Sequence, residues 1–304
     1  MTPTTIKIAS AQYPIGQPKS LAEWETKVEL WVKTGAATGA DLLVFPEYAA
    51  IEQAACFGPE VYADLRRTLA KVAELAEARV KLHSTLAQKH NVHILVGSGP
   101  MLKADGRFVN AAQLVTPGGL TGVQEKLVMT PFERDWGISA GSPVRVFETS
   151  IGTIGIAICY DSEFPLQVRA MAEAGADIVL VPSCTERISG YHRVRTGCKA
   201  RALENTIVTV QSPTIGDAPW SPAVDFNAGA AGIYVPCEHG ISDDGTLAEG
   251  KLGSAEWITA EVDLARLKRL RQTGEMRNYL DWSLQAGATI STANVQHVNL
   301  TKGT

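Results

Sequence analysis

The sequence predicts an α/β protein: a four-layer α-β-β-α sandwich in which two mixed sheets pack on each other under outer helices. Three observations lead there. One pattern occurs twice. Ile6-Lys7-Ile8-Ala9-Ser10-Ala11-Gln12 runs through a helical span to Gly39-Ala40-Asp41-Leu42-Leu43-Val44-Phe45-Pro46-Glu47. Ile154-Gly155-Ile156-Ala157-Ile158-Cys159-Tyr160-Asp161 runs through a shorter span to Gly175-Ala176-Asp177-Ile178-Val179-Leu180-Val181-Pro182-Ser183. Each reads as a β-α-β unit, whose parallel strands need a covering helix. Hairpin signals interrupt this alternation, so the sheets are mixed. No linker divides the chain, and 304 residues, 45% of them hydrophobic, suffice for one large core. Residues 1–274 read as one domain and 275–304 as a C-terminal tail.

The elements follow in order. A strand over 6–13 precedes a helix over about 20–38, whose Leu21, Trp24, Val28, Trp31 and Val32 form one apolar stripe. A strand covers 41–46. One long amphipathic helix is expected from about Pro59 to His90, then a buried strand over 92–97. Segments 109–115 and 120–127 form a hairpin around Pro117-Gly118-Gly119. Segments 144–148 and 152–159 form a second, with Cys159 at its strand end. Pro165 suits the first turn of the next helix and Gly175 the residue past its end. A strand over 177–181, a helix over 191–204 and a strand over 206–211 come next. A loop rich in Pro, Gly and Asp spans about 212–228. Strands over 229–235 and 256–262 and a helix over 264–273 complete the domain. The tail is weakly periodic, and Tyr279, Leu280 and Trp282 seek cover. It reads as an arm on the body or on a neighbouring subunit, with a frayed terminus as the alternative.

A net charge of −4 gives no footprint for nucleic acid or an anionic membrane. Arg193, Arg195 and Arg201 read as helix-borne charges. Met1-Thr2-Pro3-Thr4-Thr5 enters a strand without a basic or apolar leader, and no apolar run is long enough to span a bilayer, so a cytoplasmic protein is expected. Cys56, Cys159, Cys184, Cys198 and Cys237 are odd in number and lack CxxC spacing. They predict reduced thiols, with no disulfide framework and no metal.

Taken singly, the chemical candidates are bland. A cysteine ending an apolar strand is usually a small core residue. A glutamate after proline is usually a solvated turn residue, and a lysine such as Lys126 a charge on an edge strand. Together they read differently, because sheet-on-sheet packing brings the strand ends at Glu47 and Cys159 to one cleft. Phe45-Pro46-Glu47, Lys126 with Pro131-Phe132-Glu133, and Cys159-Tyr160-Asp161 with Phe164-Pro165 resemble the nitrilase superfamily of carbon–nitrogen hydrolases. The three motifs stand in the family's order at similar separations, over about residues 5–270. The resemblance implies a nitrilase-like sandwich that assembles through dimers. It implies Cys159 as nucleophile, Glu47 as general base, Lys126 as electrophilic stabiliser and Glu133 as a supporting glutamate. Two positions depart from the family. Glu163 stands where many amidase members have Arg, and Val128 where a His is frequent.

Physical logic runs beside the resemblance. A thiol is a weak nucleophile until it loses its proton. His83, His90, His93, His192, His239 and His297 all lie away from the motifs. An ammonium between carboxylate and thiol is expected to favour the charged forms of both. Charge developing on a carbonyl oxygen or nitrile nitrogen would meet Lys126 and the backbone N–H of Tyr160. Trp136, Cys184, Thr185, Glu186 and Tyr191 are candidate pocket residues, from the segments after Glu133 and Ser183. Arg193 could bind a carboxylate and Glu186 a cation, although capping and surface pairing are the preferred readings. The predicted activity is cofactor-free hydrolysis of a small linear amide or carbamoyl compound, by a homodimer or larger homo-oligomer. A nitrilase, a non-catalytic scaffold and a Cys–His protease-like enzyme are the competing readings.

Overall fold

Gly39 and Gly175 adopt φ of 78° and 97°, and each turns the chain from a helix toward a strand. The aspartate two residues on then clamps the preceding strand. Asp41 accepts the Lys7 N–H on its carboxylate at 2.8 Å, and Asp177 accepts that of Thr153 at 3.2 Å. The two Asp amides donate back to the carbonyls of Lys7 and Thr153, both at 2.8 Å. The sequence duplication is therefore a duplication of hydrogen bonds.

The computed structural model describes residues 5–285 and 295–301. The first half contains β1 (Thr5–Pro14), α1 (Leu21–Ala36), β2 (Leu42–Val44), a 3-10 turn (Ala49–Phe57), α2 (Pro59–Tyr62), α3 (Leu65–Glu74) and α4 (Ala76–His90). Next come β3 (His93–Leu102), β4 (Phe108–Val115), β5 (Thr121–Glu125), α5 (Pro131–Asp135), β6 (Val144–Thr149) and β7 (Gly152–Ile156). A second 3-10 turn (Cys159–Glu163) leads to α6 (Pro165–Glu173), β8 (Ile178–Ser183), α7 (Ile188–Asn205), β9 (Val208–Ile215) and β10 (Gly232–Tyr234). The remainder is β11 (Thr246–Glu249), β12 (Glu256–Asp263), α8 (Leu264–Thr273), α9 (Asn278–Asp281), a last 3-10 turn (Trp282–Leu284) and β13 (Val295–Asn299).

Two mixed sheets result. One has the order β12-β1-β2-β3-β4-β5, the other β13-β6-β7-β8-β9-β10-β11. They join at a corner where Tyr13 and Pro14 pair in parallel with Thr214 and Ile215. Alternation along each strand assigns the layers. Ile6, Ile8, Leu42, Val44 and Leu95 pack with Ile154, Ile156, Ile178, Leu180, Val208 and Val210 in one core between the sheets. The opposite face, through Ala9, Ala11, Leu43, Phe45 and Ile94, packs on Trp24, Val28 and Val32 of α1 and Leu86 of α4. Helices α6 and α7 cover the second sheet with Val168, Met171, Val194 and Ala202. Each fully buried aliphatic side chain contributes about 1.5–3 kcal/mol. Ser212 ties the sheets together, its hydroxyl facing the carbonyls of Ala11 and Val44 at 2.8 and 2.9 Å.

The local expectations need four corrections. The long helix over 59–90 is three helices. Asp64 accepts the Arg67 N–H at 2.9 Å and starts α3 afresh, and Leu75 separates α3 from α4. The buried turn Ala49–Phe57 was not expected, because its small residues carry no period. Strand β11 lies in a stretch for which no element was expected. Cys159 does not end a strand: β7 stops at Ile156, and Cys159 opens a 3-10 turn.

The described parts of the tail lie on the chain's own body. The Arg169 guanidinium sits 4.5 and 4.7 Å from the ring centroids of Tyr279 and Trp282. Strand β13 pairs in parallel with β6, and Leu300 is buried in the core. Leu280 stays 39% exposed. No helix among the described residues is long and apolar enough to cross a membrane.

Gly97 has φ of 84°, and a Cβ there would stand 2.3 Å from the Pro46 carbonyl oxygen, one residue before Glu47. Gly97→Ala is expected to lower stability by about 2–4 kcal/mol, read by urea unfolding. An unchanged midpoint would contradict this close approach.

Candidate active site

Four ionisable side chains from four separate segments converge at one end of the sandwich. Glu47 follows β2, and its carbonyl accepts the Thr214 hydroxyl at 2.7 Å. Lys126 follows β5, held by its N–H to the Asn110 carbonyl and its carbonyl to the Gly141 N–H, both at 2.8 Å. Glu133 sits in the first turn of α5 in a capping box with Thr130. Cys159 has φ of 48°, a left-handed conformation uncommon for residues with a Cβ. Such strain is held by surrounding structure. Here Asp161 holds it: its carboxylate accepts the N–H of Ile158 at 3.2 Å and that of Val128 at 2.8 Å. One buried carboxylate thus links the turn bearing Cys159 to the segment after Lys126.

Glu47, Lys126 and Glu133 are at most 2% exposed and Cys159 is 5% exposed. Lys126 Nζ donates to Glu47 Oε1 at 2.8 Å and to Glu133 Oε2 at 2.6 Å. Glu47 Oε2 accepts the Cys184 N–H at 2.9 Å. The Cys159 thiol points at the Cys184 carbonyl, 3.8 Å away, and lies within reach of the Glu47 charge. The Tyr160 N–H beside it has no acceptor among the described residues.

Burial and charge oppose each other here. Burial pulls the Lys126 ammonium down, but Glu47 and Glu133 outweigh it and hold the group well above its ordinary range. Burial pushes Glu133 up, yet Lys126 and the bonds from Thr130 and Tyr48 hold it below the usual carboxylate range. Burial dominates at Glu47, which is raised despite Lys126. Burial, then the Glu47 charge, push the Cys159 thiol well up. The resting thiol is therefore neutral. The ammonium is hydrogen-bonded to two glutamates. It favours the charged forms of Glu47 and Cys159, but burial outweighs it at both, and of its neighbours only Glu133 is held below its ordinary range.

Residues 7–272 match the carbon-nitrogen hydrolase family. The chain belongs to this family. A probable hydrolase, YhcX, of Bacillus subtilis (strain 168) is 38% identical over 91% of the chain. The chain spans 53% of that relative's length. An (R)-stereoselective amidase of Pseudomonas sp. is 29% identical, covering 69% of this chain and 78% of its own. The Saccharomyces cerevisiae Nit3 structure, from the nitrilase superfamily, superposes with a TM-score of 0.70 at 20% identity, covering 90% of this chain and 95% of Nit3.

In this member of the family the tentative pocket residues divide. Cys184 lies against Glu47 and Cys159, and the Trp136 ring lies 5.9 Å from that of Tyr48, tilted by 57°, in the same apolar cluster as Cys184. The Thr185 hydroxyl donates to the Ala228 carbonyl at 2.7 Å, fixing the loop after β9. Glu186 is 3.6 Å from the exposed Arg187, and the Tyr191 phenol is bonded to Glu249 at 2.7 Å. The structure ties both to surface or helix pairings instead of the cleft. Arg193 is an exposed partner of Glu163 at 3.4 Å. His83, His93 and His297 have partners at Arg79, Asp41 and Ser150, and Glu148. Asn110, Tyr48, Thr130 and Asp161 were missed as site residues. Asn110 bridges both glutamates, and the Tyr48 hydroxyl donates to Glu133 Oε1 at 2.7 Å. Thr130 carried a local signal in the Thr-Pro-Phe-Glu capping pattern, and Asp161 stood in the motif with Cys159.

A depressed carboxylate adds stability above its unfolded-state value and loses it as pH falls through the folded one. Glu133→Gln is therefore expected to destabilise the protein by about 1–3 kcal/mol at neutral pH. The gap to wild type should close below the ordinary carboxylate range. Urea unfolding at neutral and acid pH reads both, and a pH-independent gap would contradict the charge assignment.

Proposed function

We propose that this chain is a thiol-dependent amidase acting on a small linear amide or carbamoyl compound, without a cofactor. The observation that carries this reading is the meeting of Cys159, Glu47 and the Lys126 ammonium in one buried cluster. Glu47 takes the thiol proton as sulfur attacks the carbonyl carbon. The reaction thus needs no resting thiolate, in keeping with the raised thiol. Charge builds on the carbonyl oxygen, where the Tyr160 N–H and the remaining Lys126 N–H can meet it; an ammonium has three donors and two are used here. Each such donor accounts for about 10²–10³ in rate. Glu47 then passes its proton to the nitrogen, the C–N bond breaks and ammonia or an amine leaves a thioester on Cys159. Water attacks the thioester while Glu47 accepts its proton. The acid departs, and the proton on Glu47 returns to sulfur. Glu133 keeps the ammonium in place.

An amide is favoured over a nitrile by the Cys159-Tyr160-Asp161…Phe164-Pro165 turn, which resembles amidase-like members, and by the similarity to the Pseudomonas amidase. A nitrile would use the same sulfur through a thioimidate. Assembly as a homodimer or larger homo-oligomer belongs to the same reading.

Cys159→Ala, Glu47→Gln and Lys126→Ala are each expected to reduce ammonia release from an amide panel by at least about 10³-fold. Substantial turnover by any of them would defeat the mechanism. Mass spectrometry of wild-type protein quenched during turnover should find the acyl group on Cys159. Release from nitriles but not amides would move the reading to a nitrilase.

A further inference from the structure

Asn110 lies on β4 and is fully buried. Its side-chain nitrogen donates to Glu47 Oε1 and to Glu133 Oε1, both at 3.0 Å. Its side-chain oxygen is buried and has no partner among the described residues. The partners fix this orientation, since the flipped amide would set an oxygen against two carboxylate oxygens. An apolar side chain of similar size would avoid the orphaned carbonyl. Retaining the amide here points to a task for its nitrogen.

The task follows from the two oxygens of Glu47. Oε1 receives both Lys126 Nζ and Asn110 Nδ2. Oε2 receives only the Cys184 N–H. A carboxylate oxygen offers about two lone-pair sites, so Oε1 is filled and Oε2 keeps one open. We propose that Asn110 is a positioning residue that saturates Glu47 Oε1 and directs proton exchange with Cys159 and substrate to Glu47 Oε2. This rests on Glu47 being the base, as proposed above.

Several charged or titratable groups face Glu47. Tyr48 adjoins it in the chain. Lys126 comes from the segment after β5, Glu133 from the first turn of α5, and Cys159 from the turn after β7. Cys184 comes from the end of β8, and Asp161 stands behind Lys126. Removing the Asn110 donor leaves ionised Glu47 beside Glu133 with one stabilising bond fewer. Glu47 then protonates more readily, and Oε1 competes for the proton on the side away from sulfur.

The test uses Asn110→Ala and Asn110→Ser in the whole chain with the best amide of the panel. For Asn110→Ala, kcat should fall about ten- to hundredfold with KM within about threefold. The low-pH limb of the kcat profile should move up by about one pH unit. Asn110→Ser keeps a hydroxyl donor and should fall between this variant and wild type. Iodoacetamide alkylation of Cys159 against pH should move in the same direction, and it reads the effect without turnover. A merely structural role would lower the fraction of alkylatable sites and leave kcat per site and the pH limb unchanged. That result, or wild-type kcat in Asn110→Ala, overturns the inference. Should Asn110→Ala not fold, an unshifted limb in Asn110→Ser overturns it equally. Failure of wild-type protein to hydrolyse any amide would instead strike the proposed function, and the alkylation profile would still judge Asn110.

Discussion

A single ammonium organises the reacting end of this protein. Lys126 is 1% exposed, and an ion that far from water loses several kcal/mol of hydration unless partners replace it. Two glutamates from different segments do so, at 2.8 and 2.6 Å. Neither is stable there alone, because each is itself buried. Glu133 needs Thr130 and Tyr48, and Glu47 needs the Cys184 N–H. Asn110 serves both. The triplet carries one positive and two negative charges when both glutamates are ionised. Burial raises Glu47 despite the ammonium, and burial together with the Glu47 charge keeps the neighbouring thiol neutral.

That balance suits the proton exchange proposed for Glu47. A carboxylate as firmly held as Glu133 makes a poor base, whereas one raised by burial and a like charge is better matched to exchange near neutral pH. The two glutamates differ only in surroundings. Glu133 has a capping threonine and a tyrosine hydroxyl, and Glu47 faces sulfur. Environment thus separates the tasks proposed for them within one hydrogen-bonded cluster.

The fold supplies this environment by repetition. Both β-α-β units place a strand end at the same end of the sandwich, and the Asp41 and Asp177 clamps set the register of each. Chemistry then sits in the segments beyond the strands, where backbone polar groups are free to meet side chains. Asp161 crosses from one segment to another and fixes Cys159 in a conformation that an isolated chain would avoid.

Much of this was legible in the residues. The doubled Gly-Ala-Asp pattern and the alternation of apolar positions determined the central strands of both sheets, and the Pro-Glu, Lys and Cys motifs named the cluster. Periodicity failed where tertiary packing overrode it. The helix over 59–90 broke at an N-cap, and the turn over 49–57 formed from small residues with no repeat. Asn110 and Tyr48 escaped notice because nothing local marks a polar residue as a bridge between carboxylates distant in sequence. Glu186 and Tyr191 were drawn in by proximity to Ser183, yet their partners, Arg187 and Glu249, lie elsewhere. What the sequence by itself determined was which residue types stand at which strand ends. Only the tertiary structure decided which oxygen faces which proton, because hydration, charge and hydrogen-bond direction depend on distances across the sandwich that spacing along a chain does not encode.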